Sequence, residues 1–369
     1  MTMKKKTIMA MNRKVVSLFL GIMGVLSVNA QQSNFMNASA IGGICKWDSN
    51  KQAAVVLTFD DWTPGQFPIV VPQLGKSDLV ATFFPIESNI EKSEYSWKAL
   101  QSVVKQGNEI GNHSATHPDL TKLTPAQLHD EIAETKHRID QNVPQQTLIS
   151  FAYPYGAGAG YSDAEKQVID SIRKSGHIGA RSVWRMSNYS YDFAQTDDDY
   201  YRTQIYGMNE RTTNAQFQAE VDKVIAGGGL LTFLYHSVDD EMNSHNDTWY
   251  AQVKQDSLHV QFQYLKKNQG NLWVTTYGRA IAYHREAHCA SLTAKKVKGD
   301  IEYSLTITDK NFLTIVPPSC FVPLTILIYA NGNAVNAVTQ ADKPLEIVSK
   351  TADYIILKAM PNGGVIKIL

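Results

Sequence analysis

The sequence predicts an α/β chain: a seven-stranded (β/α) barrel followed by a C-terminal antiparallel β-sandwich-like domain. Three observations carry this. Between Ala53 and Gly278, apolar runs rich in branched and aromatic residues alternate with helix-like stretches, the pattern of parallel strands joined by crossover helices. Seven such runs occur, enough to close or nearly close a barrel; an open doubly wound sheet is the competing layout. After Glu286 the pattern changes to short alternating stretches separated by turn-forming residues.

At the amino end, Lys4-Lys5-Lys6 and Arg13-Lys14 precede the apolar run VVSLFLGIMGVLSV, and Val28 to Ala30 offer small residues for cleavage before Gln31. This is the pattern of a signal peptide over residues 1–30. The run is shorter than the roughly 20 apolar residues of a spanning helix, and no cysteine stands at the cleavage point to carry a lipid. The mature chain is therefore expected to be exported, to a periplasm, cell surface or exterior, with no transmembrane anchor. An uncleaved anchor is the competing reading.

Residues 31–288 are assigned to the barrel domain. Its strands are AAVVLTF, LVATFFPI, NEIGN, LISFAYP, HIGARSV, LLTFLYH and LWVTTYG. Helices are predicted from Glu94 to Gln106 after Ser93, and from Thr124-Pro125 through Gln141, where cap and proline stand in the order of a helix start. Others are predicted from Ser162 to Ser175 with a stop at Gly176, from Asn214 to Ala226, and from Trp249 to Asn268. Residues 289–369 are assigned to the β domain, with strand-like IEYSLTI, FLTIV, LTILIYA, LEIVS, YIILKA and GVIKIL. Turn signals lie at Pro317-Pro318, Asn331-Gly332-Asn333 and Asn362-Gly363-Gly364.

Lys plus Arg and Asp plus Glu balance at 35 each in 369 residues, so no net field draws nucleic acid or an anionic membrane. A neutral or locally recognised substrate fits better. Cys45, Cys289 and Cys320 are too few for a disulfide framework and match no zinc knuckle. One bridge with an odd thiol, or three unpaired cysteines, are the alternatives. Nothing in the sequence signals an oligomeric state.

Chemistry gathers where the apolar runs end, and in α/β folds those carboxyl ends share one rim. Asp60-Asp61 follows VVLTF; one carboxylate can face a metal and the other a water if the backbone turns there, although such a pair alone more often caps a loop. His113 and His117 have the spacing that brings two imidazoles together, but Ser114 stands where a zincin helix has Glu. Pro118 disfavours helix at His117, so the pair is expected on a turn. Two imidazoles and one carboxylate leave a coordination position open. His129 and His137 are expected to face solvent, and His245, His259, His284 and His288 lack motif context.

Thr58-Phe59-Asp60-Asp61, then His113 and His117-Pro118, then Tyr153-Pro154-Tyr155-Gly156, then Leu234-Tyr235-His236 together resemble the polysaccharide deacetylases of carbohydrate esterase family 4. The resemblance runs from about Ala53 to Arg285. It implies a distorted (β/α) barrel and one divalent metal, zinc foremost, with cobalt, nickel or manganese as alternatives. It also implies Asp60 as general base, Asp61, His113 and His117 as metal ligands, the Tyr155 N–H as oxyanion donor, and His236 as the acid for the leaving group. The implied partner is an acetylated glycan.

Two departures stand out. Family members often carry an arginine two residues before the proline of the third motif to hold the catalytic aspartate, and Ala152 occupies that place; Arg181, ending HIGAR, is the candidate replacement. No acidic motif that would tune His236 is evident. Trp62 and Tyr155 are the aromatics assigned to the sugar cleft, whereas Tyr153, Trp184 and Trp273 are the kind that more often pack a core. The expected function is a secreted metal-dependent hydrolase of N- or O-acetyl groups on carbohydrate. Its rivals are a glycan-binding barrel without turnover and a metal-dependent amidase acting on a small non-sugar amide.

Overall fold

The computed structural model describes residues 35–90, 96–187, 189–239, 251–330 and 335–369. The signal-peptide pattern, Ser93, His245, Trp249 and Asn331-Gly332-Asn333 lie outside these. Among the described residues no helix is long and apolar enough to cross a membrane.

A hairpin of β1 (Phe35–Ser39) and β2 (Gly42–Cys45) leads into β3 (Ala53–Asp60), whose eight residues are all buried, as a parallel strand covered on both faces requires. β3 pairs in parallel with β4 (Thr82–Phe84), which pairs with β5 (Glu109–Ile110). From the other edge of the sheet, β6 (Phe151–Ala152), β7 (Ala180–Arg185), β8 (Thr203–Gly207) and β9 (Leu230–Tyr235) run back to β3, all parallel. Asn112 closes the ring. Its N–H donates to Ser150 O at 2.9 Å, and its carbonyl accepts from Ala152 N at 3.0 Å, a single parallel bridge joining the β5 edge to β6. The fold is thus a distorted seven-stranded (β/α) barrel.

Its seven strands differ from the seven expected in one member. TQIYG, not predicted, is β8 in the ring. After the short pair β10 (Val238–Asp239) and β11 (Val253–Lys254), LWVT forms β12 (Leu272–Thr275), which pairs with the first half of β3 from Ala53 to Val56. β4 serves the second half of β3, so β12 extends that flank without entering the ring.

Around the ring, three helices start where caps predict, whereas those expected from Glu94 and Trp249 are Trp97–Lys105 and Gln255–Lys267. Thr124 and Ser162 each complete a capping box, with Gln127 and Glu165, and Thr213 caps Asn214–Gly227 with Gln216. Phe217, Val221 and Val224 of the last join the core on the outer side of β3, β4 and β9, where Phe59 stacks on Phe83 and Tyr235 at ring-centroid distances of 5.3 and 4.9 Å.

The C-terminal part holds two five-stranded antiparallel sheets. One contains β13 (Ala290–Val297), β14 (Asp300–Ile307), β16 (Val338–Gln340), β17 (Lys343–Pro344) and β20 (Val365–Ile368). The other contains β15 (Leu324–Tyr329), β18 (Ile347–Lys350) and β19 (Tyr354–Ala359), and it takes in β1 and β2: Gly42, Gly43 and Ile44 pair with Ile328, Leu327 and Ile326. Residues 35–45, placed with the barrel by the sequence division, therefore hydrogen-bond into this second sheet. Both sheets contribute to one apolar core. FLTIV, read as a strand, is the helix Lys310–Ile315, because Asp309 caps it by accepting from Asn311 N and Phe312 N. All three cysteines are unpaired, and Cys45 is buried.

Barrel and sheets are joined by the helix Tyr277–Cys289, buried along nearly its whole length. Tyr283 OH donates to Cys45 O at 3.0 Å and accepts from Thr325 N at 3.2 Å, while the Glu286 carboxyl accepts from Val322 N. Burial pushes Glu286 from its ordinary 4.5 up to about 9, against the opposing pull of the Val322 N–H. A carboxyl raised by folding contributes stability that is complete below its unfolded pKa and is lost as pH rises through its folded one. The thermal midpoint should therefore fall as pH rises from about 5 to about 9, and Glu286→Gln should flatten that slope. Calorimetry of both proteins checks this; parallel profiles would contradict it.

Candidate active site

Four of the candidate groups sit at the carboxyl end of a ring strand or just beyond it, and the fifth, Arg181, is the second residue of its strand and reaches Asp60 with its side chain. Asp60 ends β3, His113 follows β5, Tyr155 follows β6, Arg181 lies on β7, and His236 follows β9. Because those strands are parallel, their ends form one rim. The backbone turns sharply there: Asp61, Trp62, Ser114, His117 and Tyr155 all have positive φ, a concentration of strain typical of functional sites. The turn at His113 to His117 is not helical. Ser114 Oγ accepts from His117 N at 2.9 Å and fixes its shape.

Asp61, His113 and His117 present one ligand atom each, all within 4.8 Å of one another. Asp61 Oδ1 lies 3.4 Å from His113 Nε2 and 3.9 Å from His117 Nε2. Tetrahedral ligands about 2.0–2.2 Å from a zinc ion stand roughly 3.4 Å apart, so the set is close to that spacing and slightly open. His113 Nδ1 lies 2.8 Å from Ala152 O; a proton there donates to the carbonyl and leaves Nε2 for a cation. Asp61 Oδ1, the atom facing both imidazoles, is buried and lacks a hydrogen-bond partner among the described residues. A buried carboxylate oxygen in that state fits a cation ligand.

Burial raises the Asp61 carboxyl, but the nearby His113 imidazole and the charges of His113, His236 and His117 outweigh it and hold the group below the usual carboxylate range. At His113 burial works against the cation, and the Asp60 and Asp61 charges overcome it and raise the imidazole. At His117 burial, joined by the His113 charge, lowers it.

Asp60 is 2 % exposed. Its Oδ1 accepts a hydrogen bond from Arg181 Nη2, and its Oδ2 lies 3.7 Å from His113 Nε2. Arg181 is itself fully buried, its guanidinium 5.0 Å above the Phe84 ring. The guanidinium absent at Ala152 is thus supplied from the next strand. Removing one partner of a buried ion pair strands the other charge, at about 3–5 kcal/mol. Arg181→Met should lower denaturant stability by about that amount, with Arg181→Lys intermediate. Equal stability of all three proteins would exclude the coupling.

His236 sits among the same charges. Burial depresses its imidazole most, and the opposing pull of Asp60 and Asp61 leaves it below the ordinary value. Its backbone is held by a residue the sequence reading did not single out: Gln66 Nε2 donates to Asp60 O at 2.5 Å and His236 O at 2.9 Å, tying the ends of β3 and β9 together. A glutamine six positions beyond the aspartates carries no local signal of that role.

Tyr155 stands 71 % exposed in the turn Pro154–Gly156, its ring edge-on to His117 at 4.4 Å. As an early residue of that turn its N–H has no acceptor within it. Gly156 has φ +72°, and a Cβ there would meet Val183 Cγ2 at 2.3 Å, so the turn sits directly on β7. Trp62 lies in the core, away from the cleft. Expected on the cleft, it is 3 % exposed and packs edge-on against Phe83 at 5.6 Å and beside Phe67, because the positive φ at Asp61 and Trp62 turns the indole into the outer core. His284, without motif context in the sequence, is also core: it is fully buried, with Tyr200 OH and Tyr191 O at 2.8 and 2.9 Å.

Residues 48–177 match the family model described as polysaccharide deacetylase. That span takes in Asp60, Asp61, His113, His117 and Tyr155; Arg181 and His236 lie beyond it. Over 111 residues, 30% of this chain, the sequence is 34% identical to a chitooligosaccharide deacetylase of Bradyrhizobium sp. (strain ANU 289), of which the match covers 49%. Over 346 residues, 88% of this chain, it is 24% identical to a gellan lyase of Bacillus sp, of which the match covers 13%. The chain thus spans less than half the length of either relative. Among solved structures, the peptidoglycan deacetylase PdaC from Bacillus subtilis is 22% identical with a TM-score of 0.37, over 66% of this chain and 96% of that one.

Proposed function

We propose that this chain, whose residues 48–177 match the polysaccharide deacetylase family model, hydrolyses N- or O-acetyl groups of an acetylated carbohydrate, using one divalent cation held by Asp61, His113 and His117. The observation supporting this most is the convergence of that triad with the Asp60–Arg181 pair on one barrel rim. Imidazole and carboxylate donors suit zinc, cobalt, nickel or manganese. Such a cation, when bound, would supply Lewis acidity toward the acetyl carbonyl and acidify a water.

The remaining chemistry belongs to the chain. Asp60, fixed through Arg181, accepts the proton of the attacking water at Oδ2. The Tyr155 N–H donates to the developing oxyanion, a contribution worth roughly 10²–10³ in rate. His236 passes a proton to the departing nitrogen or oxygen. A depressed imidazole makes a strong acid once charged, which suits a poor leaving group. The pattern at residues 1–30 supports export, where an acetylated glycan polymer would be met.

Acetate release from a panel of N-acetylated and O-acetylated glycans, run beside small acetyl amides, tests the reading. Release from at least one glycan is expected. Acetate from a small amide and from no glycan would move the assignment to a small-molecule amidase, and acetate from nothing would leave a binding protein.

A further inference from the structure

Outside the rim lies a second site. Beside β7 and β8, a cavity of about 320 Å³ is lined by Tyr161, Trp184, Ser187, Asp199, Arg202 and Gln204 among others. β7 is bulged here, with Arg181 opposite Thr203 and Arg185 opposite Ile205, four positions of β7 against two of β8. Val183 lies at Gly156, beside Tyr155, while Trp184 stacks on Tyr161 at the cavity. None of the residues lining the cavity is among the acetyl-hydrolysing groups proposed above.

Its aromatic wall is built and held. Tyr161 is 69 % exposed, unusual for a tyrosine with no core role, and lies nearly parallel to Trp184, at 22° and 6.2 Å between centroids. Arg202 covers one face of the Tyr161 ring at 4.6 Å and is itself fixed by Gly160 O at 3.0 Å and Asp198 Oδ2 at 3.1 Å. That clamp orders an exposed aromatic side chain before any ligand arrives, which lowers the entropic cost of stacking on it. It also engages the only cation named among the lining residues, so the cavity offers no free positive charge to a phosphate or carboxylate.

The polar edge is half used. Gln204 Oε1 accepts from Ser187 N and Oγ at 2.8 and 3.2 Å, leaving its amide N–H groups without a protein partner among the described residues. Asp199 Oδ2 accepts from Gln195 N, Thr196 N and Thr196 Oγ1, leaving Oδ1 likewise. A fixed donor and a fixed acceptor beside aromatic rings match a ring with apolar C–H faces and hydroxyls at its edge. The volume lies at the small end of ligand pockets, the size of one or two sugar rings.

We propose that this cavity is a second glycan-binding site, which takes an uncharged pyranose unit on the Tyr161–Trp184 wall and anchors the polymer apart from the acetyl being cleaved. Native gels cast with glycol chitin, acetylated xylan or their deacetylated forms test it on the full chain. At least one polymer should retard the unsubstituted protein, and Tyr161→Ala should weaken that retardation about tenfold or more, the scale of a buried aromatic contact. Gln204→Ala should weaken it in the same polymer. Hydrolysis of a small soluble acetyl ester should stay unchanged in both variants. Unaltered retardation of both variants, or no retardation of the unsubstituted chain by any polymer, would overturn the proposal. A loss of small-ester turnover in step with binding would also overturn it, by placing the cavity in the catalytic groove. Absence of acetate release with retardation intact would instead count against the catalytic reading alone.

Discussion

Asp60→Asn should bind a divalent cation as well as the unsubstituted chain while its turnover drops about 10²–10⁴-fold, the usual contribution of a positioned general base. Asparagine keeps the shape of the side chain and its reach to Arg181, and it leaves Asp61, His113 and His117 untouched. It cannot accept the proton of a water. The substitution also leaves Arg181 buried opposite a neutral amide, so some stability should be lost together with activity. Metal content by atomic emission and initial rates on one acetylated glycan separate the two effects. Equal loss of metal and of turnover would show that Asp60 is a ligand, which the rim geometry opposes.

His113→Ala should have the largest effect on the cation. The substitution removes the ligand atom 3.4 Å from Asp61 Oδ1, and with it the Nδ1 contact that joins the turn to Ala152 O. What remains is one carboxylate and the partly exposed His117, too few donors for a retained divalent ion. Without the cation, a water's pKa returns from about 7 toward 15.7, so turnover should fall by more than about 10⁴-fold. Metal titration by calorimetry reads the first effect directly. A His113→Ala protein that still binds one equivalent tightly would contradict the proposed ligand set.

Much of the rim was legible because the chemistry sits where apolar runs stop. VVLTF ends at Asp60 and LLTFLY ends at His236, and β3 and β9 are buried along their whole lengths, so composition alone marks them. β8 escaped notice since it opens on Thr203 and Gln204, polar residues that interrupt the apolar run by which a buried strand is recognised. The helix Tyr277–Cys289 hid for a different reason: Tyr283, His284, Arg285 and Glu286 are consecutive and all buried, so no polar face shows a helical period. The pairing of β2 with β15 joins residues nearly three hundred positions apart, which no local pattern encodes. Residue type was informative at Trp62 and direction was not; a positive φ decides whether that indole meets solvent or core. Arg181 shows the converse: read as ending an apolar run, it is the second residue of β7, and only the fold brings it onto Asp60.

The proposed acetyl hydrolysis depends on one cation held at Asp61, His113 and His117. Acetate release from a responsive glycan, followed on protein stripped by a chelator and then titrated with Zn2+, tests that most directly. Activity should vanish on stripping and return in proportion to added metal, reaching its plateau at one equivalent per chain. Full activity in the stripped protein, or a plateau that Asp61→Ala reaches equally well, would contradict it.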